Sequence, residues 1–204
     1  MIQSYVDKFL SLKCSGDVLN VVSPVINIEK EISESMALIK HIKQIVLPDT
    51  KWKYNIIDLC AGNALTSVLA TYLLPINFSL AIDKRPRERN WIKANNFAYL
   101  TQSITEDFDI DGIGIDKNSI IISSHPCKLA RTITEIYNKS EAKALIMLPC
   151  CTGSLRRVYP NFFKEKIGNY LRWCYDLALD VNGTCFLDKR CISPMNCVVT
   201  AIRE

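Results

Sequence analysis

The chain has 204 residues, 49% hydrophobic and 23% charged, with a formal net charge of +4, and these values predict one soluble globular unit with a substantial core. No apolar run reaches the roughly 18 residues of a membrane-spanning helix, and the N-terminus lacks the basic-then-apolar pattern of a secretory signal. The mild positive charge permits an anionic partner without requiring one.

The cysteine and histidine content bears on compartment and metal binding. Nine cysteines are present, with no Cys-x-x-Cys pair, and only two histidines accompany them. Without a secretory signal, this content predicts free thiols in a reducing cytoplasm. We therefore expect no dedicated zinc site.

Residues 1–50 carry a helical pattern. Val6, Phe9 and Leu10 recur at helical spacing, and a second segment from about Asn27 has apolar residues at the same spacing until Leu47-Pro48 ends it. We predict an N-terminal helical extension that packs on the main domain, residues 51–204. The alternative is that this extension recognises a substrate.

Beyond residue 54, predicted strands and helices alternate. The strands cover residues 55–58, 78–82, 97–104, 119–124, 142–148, 184–187 and 196–203. Helices are predicted after the first strand, before residue 96, and over 129–138 and 161–179. This order predicts an α/β fold with a doubly wound, seven-stranded, mostly parallel sheet that ends in an antiparallel hairpin.

The connection after the first strand has the composition of a ligand site. Asp58 ends that strand, and the small-residue turn Cys60-Ala-Gly-Asn-Ala64 leads into a helix. Small side chains let a ligand approach the backbone, and a helix N-terminus favours electron-rich groups. Asp83 ends the second strand about 20 residues later, where an acid is placed to bind a ribose hydroxyl pair.

These residues resemble a class I S-adenosylmethionine-dependent methyltransferase over residues 50–204. The segment Asp58-Leu-Cys-Ala-Gly-Asn-Ala64 is similar to the first motif of that family, Asp83 occupies the position of its ribose-binding acid, and the terminal hairpin matches its last strands. The resemblance implies an S-adenosylmethionine cofactor. The residues it implies at the cofactor are Asp58, Cys60, Ala61, Gly62, Asn63, Asp83, Lys84, Ser103, Ile104 and Ser124.

A narrower resemblance rests on the ends of the fourth and fifth strands. His125-Pro-Cys127 follows the fourth strand and Pro149-Cys-Cys151 ends the fifth, as in acceptor-stem tRNA 2′-O-methyltransferases and related methyltransferase-like proteins. The near-neutral reference pKa of histidine, about 6.5, makes His125 a candidate general base for a hydroxyl or amine acceptor; the alternative is a histidine that caps the strand end through hydrogen bonds. Cys127 is a candidate to relay a proton or to hold a substrate carbonyl.

Four cysteines follow the ends of strands one, four and five: Cys60, Cys127, Cys150 and Cys151. They either pack as small apolar residues or form a redox-sensitive or metal-capable cluster beside the cofactor.

Basic loops on the expected ligand side make RNA a possible substrate. They are residues 84–89, residues 128–131 and Arg156-Arg157, with Tyr159 and Phe162 nearby to stack on a base. The alternatives are a non-catalytic cofactor- or partner-binding module of the same fold, and a methyltransferase acting on protein or small molecules.

Overall fold

The computed structural model describes residues 3–49 and 53–204, with only the backbone described for residues 161–166. The strands are β1 (Asn55–Leu59), β2 (Phe78–Asp83), β3 (Phe97–Thr101), β4 (Ser119–Ser124), β5 (Ala144–Leu148), β6 (Thr184–Leu187) and β7 (Cys197–Ile202). The α-helices are α1 (Tyr5–Leu10), α2 (Ser15–Val22), α3 (Ile28–Val46), α4 (Leu65–Leu73), α5 (Ile110–Ile113), α6 (Ala130–Lys139) and α7 (Asn161–Asp180).

The strands form one seven-stranded sheet in the order β3-β2-β1-β4-β5-β7-β6. The first five strands pair in parallel, β7 runs antiparallel to β5, and β6 pairs antiparallel with β7. The predicted fold class and terminal hairpin are therefore confirmed. Because the strand order reverses between β1 and β4, the carboxyl ends of these strands mark the switch point where such folds bind ligands.

Alternate residues of the central strands enter two separate cores. Ile120 and Ile122 of β4 face a core shared with the N-terminal helices, whereas Ile121 faces a core built with α6 and α7. Strands buried on both faces read as continuous apolar runs, which explains the sequence of β4. The sheet is thus a rigid base for the loops at its carboxyl edge.

The N-terminal helices are part of the first core. Phe9 of α1 and Val18 and Val21 of α2 are fully buried there, and α3 is buried along Ile32–Ile39. The predicted boundary at residue 50 lies outside the described residues and stays a prediction. Among the described residues, no helix combines the length and apolarity needed to cross a bilayer.

The chain differs from prediction just before and at the end of β3. The segment before residue 96 forms only a 3-10 turn, Trp91–Lys93, and the third strand ends at Thr101 instead of reaching 104. Trp91 and Ala94 of this segment pack on the first core, whereas Ile92 is 96% exposed, so the segment lacks the repeated apolar positions that support a longer helix. Trp91 stacks on Tyr99 with ring centroids 5.0 Å apart, which holds the turn against β3.

Candidate cofactor and active site

The turn after β1 is built from left-handed backbone conformations. Cys60, Gly62 and Ala64 have φ angles of 64°, 55° and 56°, and the Ala61 N–H donates to the carbonyl of Ile82 in β2 at 3.0 Å. Cys60 and Ala64 hold this conformation without being glycine, which costs backbone strain. The turn therefore folds tightly over the end of β2.

Asp83 ties this turn to the end of β2. Its Oδ2 accepts the Gly62 N–H at 2.9 Å, and its Oδ1 accepts the N–H and the Nε–H of Arg85 at 2.9 and 3.2 Å. Burial alone would raise the pKa of Asp83, but these hydrogen bonds outweigh it and lower the pKa. Asp83 is therefore a carboxylate at neutral pH.

Asp58 lies beneath the turn and lines neither cavity described below. Its Oδ2 accepts the Ser67 hydroxyl of α4 at 2.6 Å, and Oδ1 has no hydrogen-bond partner among the described residues. Burial raises the pKa of Asp58 to about 7. The structure thus brings Asp58 to α4, and its direct contact with a cofactor stays a prediction.

Two cavities open on either side of the turn and share Cys60, Arg85 and His125. The α3-side cavity has a volume of about 420 Å³, and its predicted site residues are Cys60, Ala61, Gly62, Asn63, Ser124 and His125. The β3-side cavity has a volume of about 610 Å³, and its predicted site residues are Cys60, Asp83, Lys84, Ser103, Ile104, His125 and Cys127. Both have the size of small-molecule sites, so one elongated ligand can span them.

His125 is held by a residue that the sequence analysis missed. Its Nε2 lies 2.5 Å from Oε2 of Glu34, a residue of α3 that is 1% exposed. With Glu34 ionised, Nε2 is the donor and Nδ1 carries the lone pair. Helix α3 also contributes Glu31, which accepts a hydrogen bond from the Asn63 amide at 2.8 Å.

Three of the four predicted strand-end cysteines are neighbours, and Cys60 is not part of the group. Cys127 and Cys150 have their sulfur atoms 3.2 Å apart, and Cys127, Cys150 and Cys151 all lie within 4.8 Å of one another. Burial, followed by the influence of Cys127, raises the pKa of Cys150 to about 12. Burial likewise raises the pKa of Cys60 to about 12.

Arginines of two of the three basic loops form ion pairs within the chain, and the role of these loops in RNA binding stays a prediction. Arg131 forms ion pairs with Asp176 and Asp180 of α7. Arg157 pairs with the same two acids, at 3.1 and 2.8 Å, and Arg156 pairs with Glu135 at 2.6 Å. These side chains tie loops to helices, a contact that no local sequence pattern shows.

Of the two aromatic residues predicted to stack on a base, the structure describes the side chain of Tyr159 only. Tyr159 is 8% exposed, and its hydroxyl donates to Asp176 at 2.8 Å, so it does not offer a face to a base. The Phe162 side chain lies outside the described part of the chain. By contrast, Arg85, Arg87 and Arg89 of the other basic loop line the α3-side cavity.

Comparison with known proteins identifies the fold and does not identify a substrate. No protein-family model matches the sequence, and no curated protein matches it. The structure is similar to magnesium protoporphyrin IX methyltransferase from Synechocystis PCC 6803 with bound SAH, with 13% identity, a TM-score of 0.54, and coverage of 98% of this chain and 97% of that one. The same enzyme with bound SAM gives 12% identity, a TM-score of 0.53, and coverage of 100% and 99%.

The chain has the class I methyltransferase fold. The alignment spans nearly all of both chains and so includes the N-terminal helices. In a methyltransferase fold, the edge formed by the ends of β1, β2 and β4 is the expected ligand site, and both cavities open at this edge.

Proposed function

We propose that the protein is an S-adenosylmethionine-dependent methyltransferase that modifies RNA, with a tRNA-like substrate. The observation that carries the proposal is Asp83, a carboxylate at the end of β2 that lines a cavity of about 610 Å³ beside the turn after β1. The structurally similar enzyme from Synechocystis PCC 6803 contains SAM or SAH, which supports the same cofactor here.

The residues present fit a nucleoside. A carboxylate has about four acceptor positions, and Gly62 and Arg85 use three of those on Asp83. One position is open to a ribose hydroxyl, and rotation of the Arg85 side chain, 59% exposed, frees a second. Ser103 and Ile104 line the same cavity and supply a polar and an apolar contact for a base.

His125 is placed to handle the proton of the methyl acceptor. S-Adenosylmethionine supplies an electrophilic methyl group when bound, so the protein has to align an acceptor and remove its proton. His125 lines both cavities, and Glu34 fixes its ring. The Nδ1 lone pair takes the proton of an acceptor hydroxyl or amine, while Glu34 stabilises the resulting imidazolium.

An anionic acceptor is supported by the α3-side cavity. Arg85, Arg87 and Arg89 line it, and within the described residues the only ion pair of this loop joins Arg85 to Asp83. Arginine binds phosphate through several donors at once. Arg89 already donates to the carbonyls of Val22 and Pro24 and Arg85 to Asp83, whereas Nε of Arg87 has no hydrogen-bond partner among the described residues. A phosphate of an RNA backbone would supply that partner.

The test has two readouts. Calorimetry with S-adenosylhomocysteine should show binding to the wild type and at least a tenfold loss for Asp83→Ala, because the ribose contact is gone. Asp107→Ala, which removes an exposed acid beyond β3, is the matched control and should bind normally. Because Asp83 also holds the turn, Arg85→Ala is included; it keeps the carboxylate and should retain binding.

The second readout is transfer of labelled methyl groups from S-adenosylmethionine to total RNA, protein or a small-molecule extract. Label in RNA is the expected result. Label in protein or small molecules instead would refute the RNA substrate, and cofactor binding without any transfer would identify a non-catalytic module. Unchanged affinity in Asp83→Ala would reject the assigned cofactor site.

A further inference from the structure

Three thiols meet at the carboxyl edge of the sheet, next to the β3-side cavity. Cys127, Cys150 and Cys151 form what we call the thiol triad, whose sulfur atoms lie within 4.8 Å of one another. The distance of 3.2 Å between Cys127 and Cys150 far exceeds the length of a disulfide bond, about 2.05 Å. All three residues are free cysteines.

The fold brings the triad together on rigid elements. Strands β4 and β5 are parallel neighbours with Ser124 opposite Leu148, and the pairing continues as the His125 N–H donates to the Leu148 carbonyl at 3.0 Å. Cys127 then opens a 3-10 turn. Because each cysteine follows a strand end by only a few residues, the sulfur positions are preorganised.

The spacing suits a thiophilic metal ion. Tetrahedral zinc with Zn–S distances of about 2.3 Å places its sulfur ligands about 3.8 Å apart. This spacing is between the 3.2 Å that separates Cys127 from Cys150 and the 4.8 Å within which all three sulfur atoms lie. Three thiolates are soft ligands that select zinc or copper(I) over magnesium or calcium. Thiol packing alone does not require three sulfur atoms to converge at a partly exposed edge.

Three protein ligands leave one coordination position open. In the described part of the chain, no fourth histidine, cysteine or carboxylate joins the triad. Structural zinc sites usually have four protein ligands, whereas sites with three keep a position for water or another ligand. Cys127 is exposed and also lines the β3-side cavity, so an ion here lies at the cavity rim.

We propose that the thiol triad binds one Zn²⁺ through three thiolates, with water as the fourth ligand. Binding breaks three S–H bonds, forms three Zn–S bonds and releases three protons to solvent. The ion joins the loop after β4 to the loop after β5, and thereby fixes the segment that carries His125. Cys127 is then a metal ligand and not a proton relay. The proposal does not depend on the methyltransferase activity.

The experiment titrates the full chain, freed of metal by a chelator under reducing conditions, with Zn²⁺ in competition with a chromogenic chelator. We expect one ion per chain, and at least a hundredfold loss of affinity in Cys127→Ser and in Cys150→Ser. Cys14→Ser, which changes a partly exposed thiol of the N-terminal region, should bind as the wild type does. Titration with Co²⁺ should give the thiolate charge-transfer absorption expected of three sulfur ligands.

Zinc should also protect three thiols per chain from a thiol reagent. Equal zinc affinity in wild type and both triad variants would overturn the proposal, as would a Cys127–Cys150 disulfide in the reduced, purified chain. Cys127 is exposed, so Cys127→Ser should fold even if Cys150→Ser does not, and its melting curve in the presence of chelator verifies this.

Discussion

At the scale of single residues, the pair of Glu34 and His125 is the most specific feature of the site. The two residues are 91 positions apart in sequence and 2.5 Å apart in space. A carboxylate that is 1% exposed must be paired to be stable, and a histidine with one nitrogen fixed presents the other in a defined direction. The pair has the arrangement of an oriented general base.

We predict that Glu34→Gln lowers the rate of methyl transfer while leaving cofactor affinity unchanged. Glutamine preserves the shape but cannot stabilise the imidazolium, so the single-turnover rate should fall by about tenfold to a hundredfold. His125→Ala should cost more, up to the range of about 10²–10⁴ typical of a general base. Single-turnover transfer of labelled methyl groups and calorimetry with S-adenosylhomocysteine measure the two quantities separately.

The matched control for this prediction is Glu29→Gln, an exposed acid in the first turn of the same helix. It should leave both quantities unchanged. If Glu34→Gln weakens cofactor binding at an unaltered rate, Glu34 supports the cofactor and not the base.

The site residues that follow strand ends were predictable from the sequence, and the site residue on a helix was not. Cys60, Gly62, Asp83 and His125 follow buried apolar strands, and parallel strands of the predicted order bring their ends together. Glu34 belongs to a helix outside the strand pattern. Its only local signal is the polar triplet Ser33-Glu34-Ser35 between apolar positions, and all three of these residues are buried.

At the scale of elements, buried ion pairs hold the loop between β5 and α7 against helix α7. Asp176 of α7 is fully buried and accepts hydrogen bonds from the Arg156 N–H at 2.9 Å and the Tyr159 hydroxyl at 2.8 Å. It also pairs with Arg131 and Arg157. Burial opposes ionisation, but these contacts prevail and lower the pKa of Asp176 to about 2.

We predict that Asp176→Asn destabilises the fold by about 3 kcal/mol at pH 7, since breaking a buried ion pair leaves charged partners unmatched. The native pKa lies below the unfolded value of about 3.9, so this contribution is present above pH 4 and is lost as the pH falls towards 2. The stability difference between wild type and variant should therefore shrink between pH 4 and pH 2. Urea unfolding at several pH values measures it.

Asp111→Asn, at an exposed acid of α5, is the control and should change stability little at any pH. A constant difference between Asp176→Asn and wild type across the acidic range would contradict the assigned pKa. The same ion pairs show what composition cannot predict: the sequence gives the arginines, but only the packing of α7 against α6 shows that they are paired with acids.

At the scale of the whole molecule, the N-terminal helices and the sheet share one core. Phe9 of α1 is fully buried in the same cluster as Leu69 of α4 and Ile146 of β5. The sequence predicted the strands and a doubly wound, mostly parallel sheet because each strand is a short apolar run with turn residues between. It predicted the helices of residues 1–50 by their period, but periodicity does not say which surface a helix covers.

A shared core predicts a single cooperative unfolding transition for the whole chain. Phe9→Ala should lower the free energy of unfolding by about 3–5 kcal/mol, the usual cost of removing a buried phenylalanine side chain, and it should shift the signals of helix and sheet together. Circular dichroism and tryptophan fluorescence during urea unfolding follow the two signals, since Trp91 and Trp173 report on different faces of the sheet. Leu10→Ala, at a neighbouring side chain that is 58% exposed, should have little effect.

If the N-terminal helices were an independent extension, Phe9→Ala would instead melt them early and leave the fluorescence transition of the sheet in place. The site itself gives a physical reason to expect coupling: Glu34 can position His125 only while α3 stays packed on β4 and β5, so losing this core would also remove the oriented base.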